Sequence, residues 1–154
     1  MARKIDAQNA TPARAGRLIG AWLARMEAHA ALVTSVDGTL REAHGISAAQ
    51  FEILARILHG PAQGTRMQDL AEDLYVGRSS ATRLVDGLEG EGLIARVTFP
   101  ADRRGTLARL TDAGRTKFLE AAQTFLDVTE ERFRRLGTWA DVAALEKALT
   151  AIAE

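Results

Sequence analysis

A short run of the chain, Arg78, Ser79, Ser80, Thr82 and Arg83, combines guanidinium and hydroxyl groups with an interleaved apolar set, Ala81, Leu84, Val85 and Leu88. At about 100° per residue the apolar set centres on one direction. Ser79, Arg83 and Asp86 then project on the opposite side, with Ser80 and Thr82 on the flanks. Hydroxyls donate or accept, and an arginine grips a guanine edge through two parallel bonds, so this face suits phosphate oxygens and base edges. The first turn of such a helix also carries free backbone N–H groups and the positive end of the dipole. A second basic group, Arg103 and Arg104 beside Asp102, falls at the tip of a predicted ribbon. A narrow, doubly basic tip suits a minor groove or a phosphate, with one arginine inserting and the other pairing with Asp102 or a phosphate. The spacing does not say which does which. Arg66, Gln68 and Arg78 stand near the starts of two helices, where phosphates would lie. Arg96 and Arg109 fit either phosphate neutralisation or the solvent face of the ribbon.

The elements that must hold these groups are legible from Thr65 to Thr111. Thr65 and Gln68 have capping-box spacing, and Met67, Leu70, Ala71 and Leu74 then recur at helical intervals. A tight connection at Tyr75-Val76-Gly77 leads to a second helix from about Arg78 to Glu91, with Gly92 at C′. From Leu93 to Phe99 the pattern turns to strand, with Ala95, Val97 and Phe99 on one face and Arg96 and Thr98 on the other. Pro100 to Gly105 are expected to turn the chain, and Thr106 to Leu110 to return it.

This order of elements resembles the winged helix-turn-helix of MarR-family (multiple antibiotic resistance regulator) transcription regulators. The resemblance rests on Leu70-Ala71-Glu72, Thr82-Arg83-Leu84-Val85, Leu88-Glu89 and Gly92-Leu93-Ile94. Its most specific part is Asp102-x-Arg104, five residues, then Leu110-Thr111, continuing to Gly114. Tyr75 stands where the family often has Gly, Gly77 where it has a Ser or Thr cap, and Gly87 where a basic residue is common. The resemblance implies a mainly α fold with a small β-wing, in which N- and C-terminal helices flank the winged core and build a homodimer.

Outside the core, Thr11-Pro12 opens a helix. Leu18, Ile19, Trp22, Leu23, Met26, Ala30 and Val33 give it a broad apolar stripe. Asp37-Gly38 reads as a turn, Thr39 to His44 as a short helical piece ended by Gly45. Ser47 and Gln50 form a capping box, and Ile46 staples onto Phe51. The helix they start turns Phe51, Leu54, Ala55 and Leu58 inward, and Gly60-Pro61 stops it, Gly at C′. After the ribbon, Thr111 caps a helix carrying Phe118, Ala121, Ala122, Phe125, Val128 and Phe133 up to Gly137. Thr138 and Asp141 cap a last one with Val142, Leu145, Leu149 and Ile152. The expected organisation is an arm and dimerisation helix over 1–35, a DNA-binding core over 36–111 and dimerisation helices over 112–154.

Composition narrows the function. The 154 residues are 47% hydrophobic and 26% charged, which fits a globular chain, and aromatics at 5% favour a helical core over a sheet sandwich. Net charge is zero. From Leu93 to Leu110, however, Arg96, Arg103, Arg104 and Arg109 face only Asp102, so a positive field is focused at the ribbon. There is no cysteine, hence no disulfide, thiolate zinc site or thiol sensor. His29, His44 and His59 lie on separate elements without metal-ligand spacing. No nucleophile-elbow, phosphate-loop or zinc-protease motif occurs, so neither an enzyme nor a cofactor is expected. No signal peptide or long apolar run is evident, and the expectation is a cytoplasmic protein off the membrane. Trp22, Met26, His44 and Phe51 are candidates to line a cavity for a small aromatic or phenolic effector, against ordinary core or dimer packing. The expected function is a ligand-responsive homodimeric repressor on a pseudo-palindromic double-stranded operator, released by a small-molecule inducer. The alternative is a winged-helix protein-interaction module with little DNA affinity.

Overall fold

In the computed structural model the described residues are 12–74, 78–99 and 102–153, with the side chains at 12, 13, 73, 78, 99, 102–105, 136 and 153 outside the description. The expected caps at Thr11 and Gly77 and the connection Tyr75-Val76-Gly77 also lie outside the described residues. Among the described residues the order is α1 (Pro12–His44), α2 (Ala48–His59), β1 (Thr65–Arg66), α3 (Met67–Asp73), α4 (Arg78–Gly90), β2 (Ile94–Phe99), β3 (Asp102–Leu110), α5 (Asp112–Phe133) and α6 (Trp139–Ala153). A short 3-10 turn, Arg134–Leu136, joins α5 to α6. The mainly helical architecture with a small antiparallel sheet is the one expected. The chain divides into two units, Met1–Thr34 and Ser35–Glu154.

In the first unit, Leu18, Ile19, Trp22, Leu23, Met26 and Val33 are all exposed. In the second, Val36 and Leu40 meet Ile46, Phe51, Ile53, Leu54 and Ile57 around α2, Leu70 of α3, Val85 and Leu88 of α4, Ile94 of β2, and Phe118 and Ala121 of α5. The Phe51 ring stacks between Phe118 and Phe125 at 5.2 and 5.1 Å between centroids. The first half of α5, placed with the expected dimerisation helices, thus also completes the winged core. Ile53 and Ile57, missed by the helical stripe assigned to α2, are buried because that helix is covered on several sides.

The capping box on α2 forms: Gln50 N–H donates to Ser47 Oγ at 3.1 Å, and Ser47 N–H donates to Gln50 Oε1 at 2.9 Å. The expected turn at Asp37-Gly38 does not form, and both residues lie inside α1. Two buried residues, Val36 and Leu40, flank the glycine and hold the helix across it. Asp37 takes on two further tasks, accepting from Arg41 Nε at 2.6 Å and from Ala48 N–H at 2.9 Å. It therefore satisfies one of the orphan donors at the start of α2. The bond from Arg41, then that from Ala48, holds its carboxyl below the usual value near 3.8. Because the folded-state pKa is the lower one, this contribution is complete above the ordinary carboxylate range and is lost as pH falls through the lowered value. Asp37→Ala is expected to cost about 1 kcal/mol at neutral pH, as loss of a cap does. The difference from the parent should shrink below about pH 4, checked by urea melts across the acid range.

Thr65 does not cap α3. Its backbone pairs with Ala108 and that of Arg66 with Leu107, adding a third strand in the order β1-β3-β2. The cap position falls to Arg66, whose side chain does not cap the helix, and Gln68 Nε2 donates instead to Glu72 Oε1 at 2.9 Å. Sheet pairing uses the Thr65 backbone and buries its side chain, whose hydroxyl has no hydrogen-bond partner among the described residues. Gly60 ends α2 in an extended conformation and not in the left-handed one expected of a C′ glycine. What it supplies is room, since a Cβ there would lie 2.6 Å from Thr65 Oγ1 and 2.9 Å from Arg56 O.

Candidate nucleic-acid interface

Helix α4 packs on α3, α2 and β2 through Ala81, Val85 and Leu88, each fully buried. That burial fixes its rotation and turns Ser79, Arg83, Asp86 and Gly87 to solvent, with Ser80 and Thr82 half-buried on the flanks. Arg83 makes no hydrogen bond or ion pair with any described residue. The helix closes as a Schellman motif: Leu93 N–H donates to Leu88 O and Gly92 N–H to Glu89 O, both at 2.9 Å, with Gly92 at φ 72°. Arg66 and Gln68 are exposed at the start of α3. The side chain of Arg78 is outside the described residues.

Strands β2 and β3 form the wing. Ile94 pairs with Leu110, Arg96 with Ala108 and Thr98 with Thr106, after which the register shifts and Phe99 pairs with Asp102. The return strand therefore begins at Asp102, not at Thr106, with Arg103, Arg104 and Gly105 absorbed in the irregularity. An extra stretch on one strand of a pair lets pairing resume beyond it, which a reading based on turn residues alone misses. The side chains of Asp102, Arg103 and Arg104 lie outside the described residues. Ile94 is buried while Ala95 is exposed, so the core-facing side of β2 is the one that also carries Arg96. Arg96 stands neither at a phosphate-ready position nor on a free solvent face. Its Nη1 donates to Glu89 Oε2 and its Nη2 to Asp86 Oδ1, each at 2.6 Å. The bond to Asp86 above all holds this guanidinium more firmly charged. Sequence reading passed over this arrangement, although two acids three residues apart on α4 and an arginine early in the next strand were its signal. Arg109 is exposed.

Of the four effector candidates, Trp22 and Met26 belong to the first unit and His44 and Phe51 to the second. The Arg25 guanidinium lies 5.0 Å from the Trp22 ring centroid. His44 Nε2 is hydrogen-bonded to Thr124 Oγ1 across 2.8 Å, and Phe51 is committed to the aromatic stack of the core. An open cavity of about 330 Å³ sits where α5 meets α6, between Phe133, Arg134, Trp139 and Val142, and holds none of the four. Among the described residues no group of three or more His, Asp or Glu is placed to hold a metal. No described helix is long and apolar enough to cross a membrane.

The sequence profile of the MarR family matches residues 46–106, from just before α2 into β3. An uncharacterized HTH-type transcriptional regulator of Bacillus subtilis, YdgJ, is 33% identical over 118 residues, which span 76% of this chain and 67% of that protein. Among solved structures, Sco3205 of Streptomyces coelicolor, a MarR family transcriptional regulator in complex with DNA, superposes with a TM-score of 0.80 at 25% identity, covering 100% of this chain and 91% of that one. The C80S mutant of E. coli MarR complexed with operator DNA gives a TM-score of 0.74 at 28% identity over 90% of this chain and 93% of its own. A helix-turn-helix with its second helix turned to solvent, a basic wing beside it and these matches together make the chain a member of the MarR family of transcription regulators, not an enzyme.

Proposed function

We propose that the protein is a homodimeric, sequence-specific DNA-binding regulator, a repressor that a small aromatic or phenolic molecule releases from its operator. The observation that carries the reading is the outward face of α4. Burial of Ala81, Val85 and Leu88 leaves Ser79 and Arg83 exposed on the N-terminal half of a helix beside the wing. Hydroxyls and an arginine in that position read base edges and phosphates in a major groove, while Arg103 and Arg104 at the wing reach the adjoining minor groove or backbone. The complexes of Sco3205 and of MarR with DNA support the same use of the fold.

Dimerisation is supported by exposed apolar residues at both ends of the chain, Leu18, Ile19, Trp22 and Leu23 on α1 and Leu145, Leu149 and Ile152 on α6. Surface of this kind is uncommon on a monomer. A two-fold pair of α4 helices reads half-sites about one helical turn apart. An effector that binds the free dimer more tightly than the DNA-bound one lowers operator affinity by linkage, without touching a base. The test is a mobility shift on the DNA flanking the protein's own coding region at two salt concentrations with excess non-specific competitor. Competitor-resistant, salt-sensitive binding is expected, with sedimentation giving twice the chain mass. Salt-insensitive or absent binding there and in random-site selection would sink the reading in favour of a protein-recognition module.

A further inference from the structure

Strand β2 is an edge strand, since the sheet order is β1-β3-β2. An edge presents unpaired backbone groups. Here the outer N–H of Arg96 donates to Glu89 Oε1 at 3.3 Å while the Arg96 side chain bridges Glu89 and Asp86 at 2.6 Å each. One carboxylate thus binds both the backbone and the side chain of the same strand residue, and a second braces the guanidinium from the preceding turn of α4. The guanidinium fork is rigid and planar, so two acids fix its direction as well as its position. The guanidinium is 28% exposed and its partners Asp86 and Glu89 are 52% and 37% exposed, so water screens the charges, and the three bonds converging on one strand residue, rather than their Coulomb energy, fix its direction. Beyond Arg96 the strand runs three residues to Phe99, about 10 Å at about 3.3 Å per residue. A tilt of the ribbon at this root is therefore carried out to the tip as a displacement of ångströms.

Resting on the DNA-reading function above, we propose that Arg96 is the positioning residue of the wing, locked by Asp86 and Glu89 so that the wing tip and the outward face of α4 engage one duplex together. The two acids would otherwise be liabilities, negative groups on the helix that approaches a polyanion. Their role is to aim the wing.

The variant Asp86→Asn with Glu89→Gln removes both anchors and leaves every basic residue in place. Were the acids acting by charge alone, their loss would tighten DNA binding. The positioning role has the opposite sign: operator affinity at fixed salt falls about tenfold, a loss the size of one specific contact. In addition Arg104→Ala, expected to weaken the parent about tenfold, weakens the double variant less than about threefold, because an unaimed wing contributes little. Arg96→Met behaves like the double variant, and Arg96→Lys, able to hold one acid, falls between. Tighter binding by the double variant, or an undiminished Arg104 effect within it, overturns the proposal. So does Arg96→Met lowering the salt slope by about one with the Arg104 effect intact, the mark of a phosphate contact. A DNA-free readout separates this proposal from the function it rests on. Amide exchange at Val97 and Leu107, the pair beside Arg96 and Ala108 whose N–H groups lie between the two strands, should quicken in the double variant while Leu54 and Leu70 stay protected, and equal wing protection in both proteins overturns the clamp. A parent that binds no DNA, with this exchange difference present, removes the regulator function and leaves the clamp standing.

Discussion

Gly114→Ala is expected to destabilise the protein by about 3 kcal/mol, the upper range for forcing atoms into a packed site. A Cβ on Gly114 would lie 1.9 Å from Leu93 O and 2.9 Å from Leu93 C, and these are backbone atoms that have no rotamer to yield. The same carbonyl accepts from Thr111 N–H at 3.1 Å, and Thr111 Oγ1 donates to Gly92 O at 2.7 Å while accepting from Gly114 N–H at 3.0 Å. One threonine thus caps α5 and ties it to the turn between α4 and β2. The added methyl pushes this junction apart, and with it Phe118 and Ala121, one and two turns further along α5 in the core. Urea melts at fixed protein concentration should show a midpoint lowered by about 1.5 M for a slope near 2 kcal/mol/M. Gly38→Ala is the internal control: it lies mid-helix with nothing within 4 Å of its would-be Cβ, so the same change there should stabilise by about 0.5–1 kcal/mol. A Gly114→Ala protein that melts with the parent would mean that α5 does not sit this close.

Arg83→Ala is expected to leave stability within about 0.5 kcal/mol, because the side chain is exposed and makes no ion pair with a described residue. Operator binding should nevertheless fall by about 1–3 kcal/mol, roughly 5–150-fold, if the guanidinium reads a base edge. In that case the preference at one base position relaxes and the salt slope stays as it was. A slope lower by about one, with weakening spread over all sequences, would identify a phosphate contact. Binding curves on the operator and on variants of it at several salt concentrations separate the two, and unchanged affinity would take Arg83 out of the interface.

The outward face of α4 is legible in the sequence because its apolar set is strict: four residues at helical spacing leave one solution for the rotation. Caps with reciprocal side chains, Ser47 with Gln50 and Thr138 with Asp141, were readable for the same reason, a local bond between residues three apart. What failed was decided at long range. Thr65 has the chemistry of a cap, yet β3, more than forty residues away, claims its backbone. Asp37-Gly38 has the chemistry of a turn, yet buried Val36 and Leu40 on either side keep the helix going. Arg96 looked like one of several cations near the wing, and only the packing of β2 on α4 shows that two acids hold it. The signature ending at Gly114 was recognisable as a pattern, but its physical reason, a carbonyl in van der Waals contact with the glycine Cα, needed the fold.

Because β1 at Thr65–Arg66 closes on Leu107 and Ala108, and Phe118 and Ala121 complete the packing around Phe51, the winged core waits on the last-made of its own elements. A nascent chain halted short of Phe118 holds α2 with Phe51 uncovered. At about 5–20 residues per second, the stretch from Ser35 to Ala121 takes roughly 4–17 s to emerge. Throughout that interval α2 and β1 are made but lack the partners that α5 and β3 bring, so the core closes late in synthesis although its own first helix is among the earliest segments made.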